Sequence, residues 1–224
     1  MSERTVIIMS FISTILDLLF PPKCVFCSKV LNKADDGWCD NCIESLPYAY
    51  DHGRQDGDVF DFCISALYYT GVVRRSILRF KFGGNSHYAD VYSKVLADTI
   101  RNCPDAKYDI ISWVPLSDKR QRKRGYDQAM LLAMATALQL DDIAVETLKK
   151  PHDVQAQSEL GDRAERSENI SGAYVASDPE LIAGKRVLLI DDVVTTCSTL
   201  SECSKVLLEA GASGVICATL ARGE

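Results

Sequence analysis

Asp191 and Asp192 stand together between an apolar run, Val187 to Ile190, and a loop rich in hydroxyls that holds Thr195, Thr196, Ser198 and Thr199. The hydroxyls, with the free backbone N–H groups of a following helix, make a cradle for a phosphate, and the acidic pair sets carboxylates beside it. A solvated Asp-Asp turn is the ordinary alternative, but the pattern over residues 186–200 is far more specific than an isolated pair. The flanking elements must position this chemistry. Val187 to Ile190 is too short for a helix and unbroken by polar residues, which predicts a central parallel strand with the acids at its carboxyl end. Residues 201–210 carry an amphipathic helical pattern, Gly211 to Ser213 stops it, and Val215 to Leu220 predicts the last strand.

A second cluster is basic. In Lys119-Arg120-Gln121-Arg122-Lys123-Arg124-Gly125, five of the six residues before the glycine are cationic. They follow a predicted strand, Asp109 to Pro115, and precede an apolar helix, so parallel strands would bring this loop to the same sheet edge as Asp191. Arginine forks at such an edge suit pyrophosphate, a nucleic-acid backbone or plain solvation as a charged face. Lys81 opens a Lys-Phe-Gly-Gly turn between predicted helices at 71–80 and 88–101; it can reach a phosphate or remain solvated.

The third set is sulfur. Cys24-x-x-Cys27 is followed after eleven residues by Cys39-x-x-Cys42. Two such knuckles bring four thiolates to one tetrahedral centre, and a closed set of four cysteines is structural zinc, with no position left for a catalytic water. Two disulfides or a redox pair do not explain the paired spacing. The intervening loop carries little apolar material besides Val30, Leu31 and Trp38, so the segment depends on metal to fold.

The chain of 224 residues is 47% hydrophobic and 25% charged, which suits one globular domain and a small appendage. A net charge of −6 excludes a surface that binds nucleic acid throughout. Nine cysteines, an odd number, point to a reducing cytoplasm. Residues 5–20 are too short and too interrupted for a membrane span; Ile8, Phe11, Ile12, Ile15, Leu18 and Leu19 form one stripe, giving an amphipathic helix that packs on the protein, a membrane surface or a partner. Residues 47–60 read as a linker, which divides the chain into residues 1–50 and residues 51–224. A strand is expected near Phe62 to Tyr69. Residues 149–172 are mostly polar and read as a mobile loop, a lid by length. The histidines, His52, His87 and His152, are scattered with no nucleophile motif nearby, and Cys63, Cys103, Cys203 and Cys217 read as small buried apolar residues.

The stretch around Asp191-Asp192 resembles the ribose-phosphate signature of type I phosphoribosyltransferases. That resemblance implies that Thr195, Thr196, Cys197, Ser198 and Thr199 hold the 5-phosphate of phosphoribosyl pyrophosphate, that Asp191 and Asp192 meet the ribose hydroxyls, and that Mg²⁺ accompanies the ligand. Two residues depart from it: Cys197 stands where the loop usually has glycine, and Thr195 where 6-oxopurine transferases carry an aspartate. Together with the Pro-Pro-Lys-Cys ribbon, Lys81-Phe82, the Val-Pro…Lys-Arg-Gly-Tyr segment and the ordered Gln157, Leu160, Arg166 and Asn169 to Tyr174, the chain is similar to the ComF/GntX family. Here Asp127 stands where that family more often has asparagine. The resemblance implies a zinc ribbon joined to an α/β domain of type I phosphoribosyltransferase-like fold with a largely parallel, doubly wound sheet. It also implies a part in natural transformation, with single-stranded DNA and a helicase-like competence protein as partners.

Overall fold

The computed structural model describes residues 21–31, 36–151 and 172–223, so the expected N-terminal helix and the lid residues Gln157, Arg166 and Asn169 lie outside the described residues. The backbone separates into two compact units that meet between Leu46 and Pro47.

In the first unit each Cys-x-x-Cys forms a turn. Cys24 N–H donates to Lys29 O at 2.8 Å and Ser28 N–H to Cys24 O at 2.8 Å, while Lys23 and Val30 form an antiparallel bridge. Cys39 then caps a short helix, α1 (Asp40–Ser45), from which Cys42 projects inward. Val25 and Phe26 are buried, a small apolar complement to the four sulfurs.

The second unit begins with a 3₁₀ turn (Tyr50–Gly53) and a two-residue strand, β1 (Gln55–Asp56), where the sequence suggests only a linker. β2 (Phe62–Tyr68) follows, then α2 (Gly71–Phe82), α3 (Tyr88–Arg101) and β3 (Ile110–Trp113). The basic cluster is not a loop: it forms a short helix, α4 (Asp118–Arg124), ended by Gly125 at φ 85°. α5 (Gln128–Gln139) comes next. A small hairpin of β4 (Leu148–Lys149) and β5 (Val175–Ala176) leads through α6 (Pro179–Ile182) to β6 (Arg186–Val194), α7 (Ser198–Glu209) and β7 (Gly214–Arg222). No described helix is long and apolar enough to cross a membrane.

The main sheet has the order β1-β2-β7-β6-β3, antiparallel only at β1. Its interior strands are apolar without alternation because helices cover both faces. Val187 to Ile190 and Ile216 to Ala218 are all fully buried. Ser65 and Thr219, buried polar residues of β2 and β7, satisfy each other at 2.8 Å. β6 extends beyond the apolar run, since β7 offers it partners as far as Asp191↔Thr219 and Val194↔Arg222. The acidic pair therefore lies within the strand rather than past its end. All four parallel strands end at one edge, and Val114 N–H donates to Ile190 O at 3.0 Å, which brings the 114–128 segment level with the carboxylates.

Candidate functional site

Consecutive residues of a strand leave it on opposite faces. Asp192 accordingly turns to the α2 side, where Lys81 Nζ meets its Oδ1 at 2.8 Å, whereas Asp191 turns toward Tyr174 and Cys203 of the α7 side. Asp191 also accepts from the Asp192 N–H at 2.7 Å. Burial and the neighbouring charge of Asp192 raise the Asp191 carboxyl to about 8, against the weaker pull of Lys81.

Both carboxylates open onto one cavity of about 310 Å³ at the strand edge. Lys81, Arg120, Arg124 and Thr199 also line it. Tyr126, in the turn before α5, donates its hydroxyl to Phe80 O and so ties this turn to the helix that carries Lys81. Arg124 donates to Gln128 Oε1 at 2.6 Å. Asp127 is buried and caps α5, its Oδ1 accepting from Met130 N–H at 3.0 Å and its Oδ2 from Leu116 N–H at 2.7 Å. The carboxylate at this position thus joins two backbone segments of the cavity wall. Burial raises its pKa, and these backbone donors oppose the rise.

Not every residue named from the sequence reaches the cavity. Lys119, Arg122 and Lys123 are exposed on α4 and do not line it, nor do Thr195, Thr196, Cys197 and Ser198. The last four form the turn into α7, in which Thr196 Oγ1 and Ser198 Oγ lie 3.0 Å apart. Cys197 is the N-cap of α7 and is held in the left-handed region, φ 58° and ψ −3°, the conformation that glycine adopts without steric cost.

Lys150 and Tyr174 complete the wall. Tyr174 enters the sequence reading only as the end of the ordered stretch from Asn169, with no role of its own, and Lys150 belongs to no motif. Lys150 Nζ donates to the Tyr174 hydroxyl at 3.1 Å and lies 4.5 Å from the centre of that ring. Burial and the charge of Arg120 lower the Lys150 pKa.

In the first unit, Cys24, Cys27, Cys39 and Cys42 converge, their Sγ atoms all within 4.8 Å of one another. Cys27 and Cys39 Sγ are 3.7 Å apart; zinc bonds of about 2.3 Å in a tetrahedron require sulfurs about 3.8 Å apart. Burial opposes a thiolate at Cys24, but the N–H groups of Cys27, Cys39 and Phe26 outweigh it and bring the thiol down to about 7. Burial and the other sulfurs push the Cys42 thiol well up, a repulsion that a divalent cation would reverse. The donor set fits structural zinc.

Two family models match the chain: a phosphoribosyl transferase domain over residues 127–224 and a double zinc ribbon domain over residues 15–54. The chain is 28% identical over 222 residues to competence protein F of Haemophilus influenzae, covering 89% of this chain and 96% of that protein. It is 28% identical over 211 residues to DNA utilization protein YhgH of Escherichia coli K12, covering 88% of this chain and 90% of the relative. It is 27% identical over 163 residues to competence protein ComFC of Bacillus subtilis, covering 70% of this chain and 63% of the relative. Among solved structures, glutamine phosphoribosylpyrophosphate amidotransferase of B. subtilis matches 60% of this chain with 26% of its own, at a TM-score of 0.42 and 21% identity. With a zinc ribbon followed by a phosphoribosyltransferase domain, and competence proteins as relatives along most of its length, the chain belongs to the ComF/GntX family.

Proposed function

We propose that the second unit binds a ligand of the phosphoribosyl pyrophosphate type with Mg²⁺ and transfers its phosphoribosyl group to an acceptor. One observation carries this reading: the acidic pair of β6, the first turn of α7 and the cations Lys81, Arg120 and Arg124 all open onto a single cavity. Thr199 and the 195–199 turn would receive the 5-phosphate, and Asp191 and Asp192 the ribose hydroxyls. Arg120, Arg124 and Lys81 would hold the pyrophosphate as negative charge gathers on it and the ribose carbon gains oxocarbenium character. Mg²⁺ fits here as an ion carried on the hard oxygens of the pyrophosphate, where it would offset that charge. Lys81 and Asp192 neutralise each other in the free protein, so ligand entry exchanges their contact for contacts to pyrophosphate and ribose.

Calorimetric titration of phosphoribosyl pyrophosphate with Mg²⁺ tests the reading. Binding in the wild type that is lost in Asp191→Asn/Asp192→Asn is the expected result. Silence in a folded, zinc-loaded wild type would overturn it.

A second reading, a non-catalytic adaptor in DNA uptake that meets single-stranded DNA and a helicase-like competence protein, is favoured by a different feature. Phe82 is 63% exposed, and the Arg124 guanidinium lies 5.0 Å from its ring at the end of the basic helix, a stacking surface beside phosphate-binding cations. The names of the relatives, competence and DNA utilization proteins, support the same setting. If Arg122→Ala/Arg124→Ala leaves single-stranded DNA affinity and its salt dependence unchanged, α4 is not the DNA surface.

A further inference from the structure

The twelve residues of α5 include no charged side chain. A helix apolar on all sides belongs inside a protein, yet the chain covers only part of this one. Ala129, Leu132, Ala133 and Ala137 are buried where α5 packs on α3, β3 and β6. On the other side Met130, Met134 and Leu138, spaced four apart, share one stripe. Met134 is 48% exposed and Leu138 74%, and Ile143, just past the helix, is 72% exposed. At its amino end the stripe enters a second cavity, of about 490 Å³, lined by Met130 and Trp113. Two of the carboxylates at this cavity are already engaged: Glu146 pairs with Lys149 at 3.7 Å, and Asp127 accepts from the Leu116 and Met130 N–H groups. What stripe and cavity offer an occupant is therefore mainly apolar surface, on a scale that marks an interaction site.

We propose that a second copy of this chain covers the stripe, the two α5 helices lying antiparallel about a twofold axis at Met134. Charge selects both the occupant and the direction. α4, with Arg122 and Lys123 exposed, precedes the amino end of α5, and Asp141 and Asp142 follow its carboxyl end. Arg101, a cation near that acidic end, is engaged within its own chain by Asp98 Oδ1 at 3.2 Å and by Gln139 O. In a twofold contact, whatever one copy sets against the other is returned in kind. Antiparallel helices thus place the cations of each copy on the aspartates of the other at both ends, whereas parallel helices set like charges together. The same operation lays Leu138 of each copy over Met130 of the other, at the mouth of the 490 Å³ cavity. An apolar side chain can fill that space without leaving a polar group unpaired.

Sedimentation equilibrium of the full, zinc-loaded chain over a range of concentrations tests this. The wild type should pass from monomer to dimer as concentration rises. Leu138→Glu, a change at an exposed position that the monomer tolerates, should raise the dimer dissociation constant by more than about tenfold. Asp141→Lys/Asp142→Lys and Arg122→Asp/Lys123→Asp should each be monomeric alone, because either pair of changes sets like charges together at both ends. Mixed in equal amounts, the two variants should form a heterodimer, because both ends then carry opposite charges. Melting curves followed by circular dichroism check the fold of each variant. A wild type that is monomeric at every concentration, a dimer that Leu138→Glu leaves intact, or a mixture that stays monomeric would overturn the proposal; the first of these results assigns the stripe to a different protein.

Discussion

Lys81 Nζ lies 2.8 Å from Asp192 Oδ1, with the two side chains 19% and 9% exposed. An ion pair this withdrawn from water is held less for its own energy than because either partner alone would be a charge without compensation. Lys81→Ala should therefore destabilise the second unit by about 3 kcal/mol. Adding Asp192→Asn should restore part of the loss, because the orphaned charge goes with it. Urea denaturation of the single and double variants measures the difference; equal losses in Lys81→Ala and the double variant would deny the coupling.

Asp191 supplies a pH signature. Its carboxyl sits at about 8 in the folded chain, raised by burial and by Asp192, against about 3.9 for an unperturbed aspartate. A raised folded-state pKa means that proton uptake favours folding. The contribution is complete below about pH 4 and is lost as pH rises through about 8. Asp191→Asn removes it, so melting temperatures of the variant should climb relative to wild type across that window and level off above it. A gap that stays constant with pH would refute the assignment.

Cys197 in the left-handed region carries strain of about 1–2 kcal/mol that glycine would not. Glycine gives back about 0.5–1 kcal/mol through its freer unfolded chain, so Cys197→Gly should leave stability unchanged or raise it by at most about 1.5 kcal/mol. The larger effect is expected on the ligand: without the side chain, backbone N–H groups can approach the 5-phosphate more closely, and phosphoribosyl pyrophosphate should bind more tightly. Unchanged or weaker binding in calorimetry would show that the thiol does not stand in the way.

The first unit should hold one zinc ion per chain, measured by elemental analysis of the purified protein. Its four sulfurs are the only cysteines between residues 15 and 54. Cys42→Ser should lose the metal and, with it, protection of residues 21–45 from protease. The same loss is expected on chelation, because so small an apolar complement does not fold alone.

The sequence made legible what rests on uninterrupted or regularly spaced residue types. The paired cysteines predict a convergence that the sulfur positions match, and the apolar run Val187 to Ile190 predicts a strand buried on both faces. The helices expected at 71–80 and 88–101 differ from α2 and α3 by at most two residues. What escaped depends on tertiary neighbours. Asp118 to Arg124 reads as a charged loop because it has no apolar face to set a period, yet it closes one helical turn after another until Gly125. The extension of β6 through Asp191 and Asp192 depends on the equal length of β7. Lys150, in no motif, and Tyr174, named only as the end of an ordered stretch, meet because β4 and β5 pair. The linker expected at 47–60 includes the buried Gly53 and Phe60 and a strand at the sheet edge, features that only packing against β2 reveals.

The position of β7 governs how such a chain can be made. Gly214–Arg222 lies between β2 and β6 and is hydrogen-bonded to both, so the sheet has no continuous hydrogen-bonded path from one half to the other without it. The two groups of strands, β1 with β2 and β6 with β3, stay unjoined until residues 214–222 pair with both, so the cavity at the end of β6 rests on contacts between β2 and β7 that lie far apart in the chain and are slow to form.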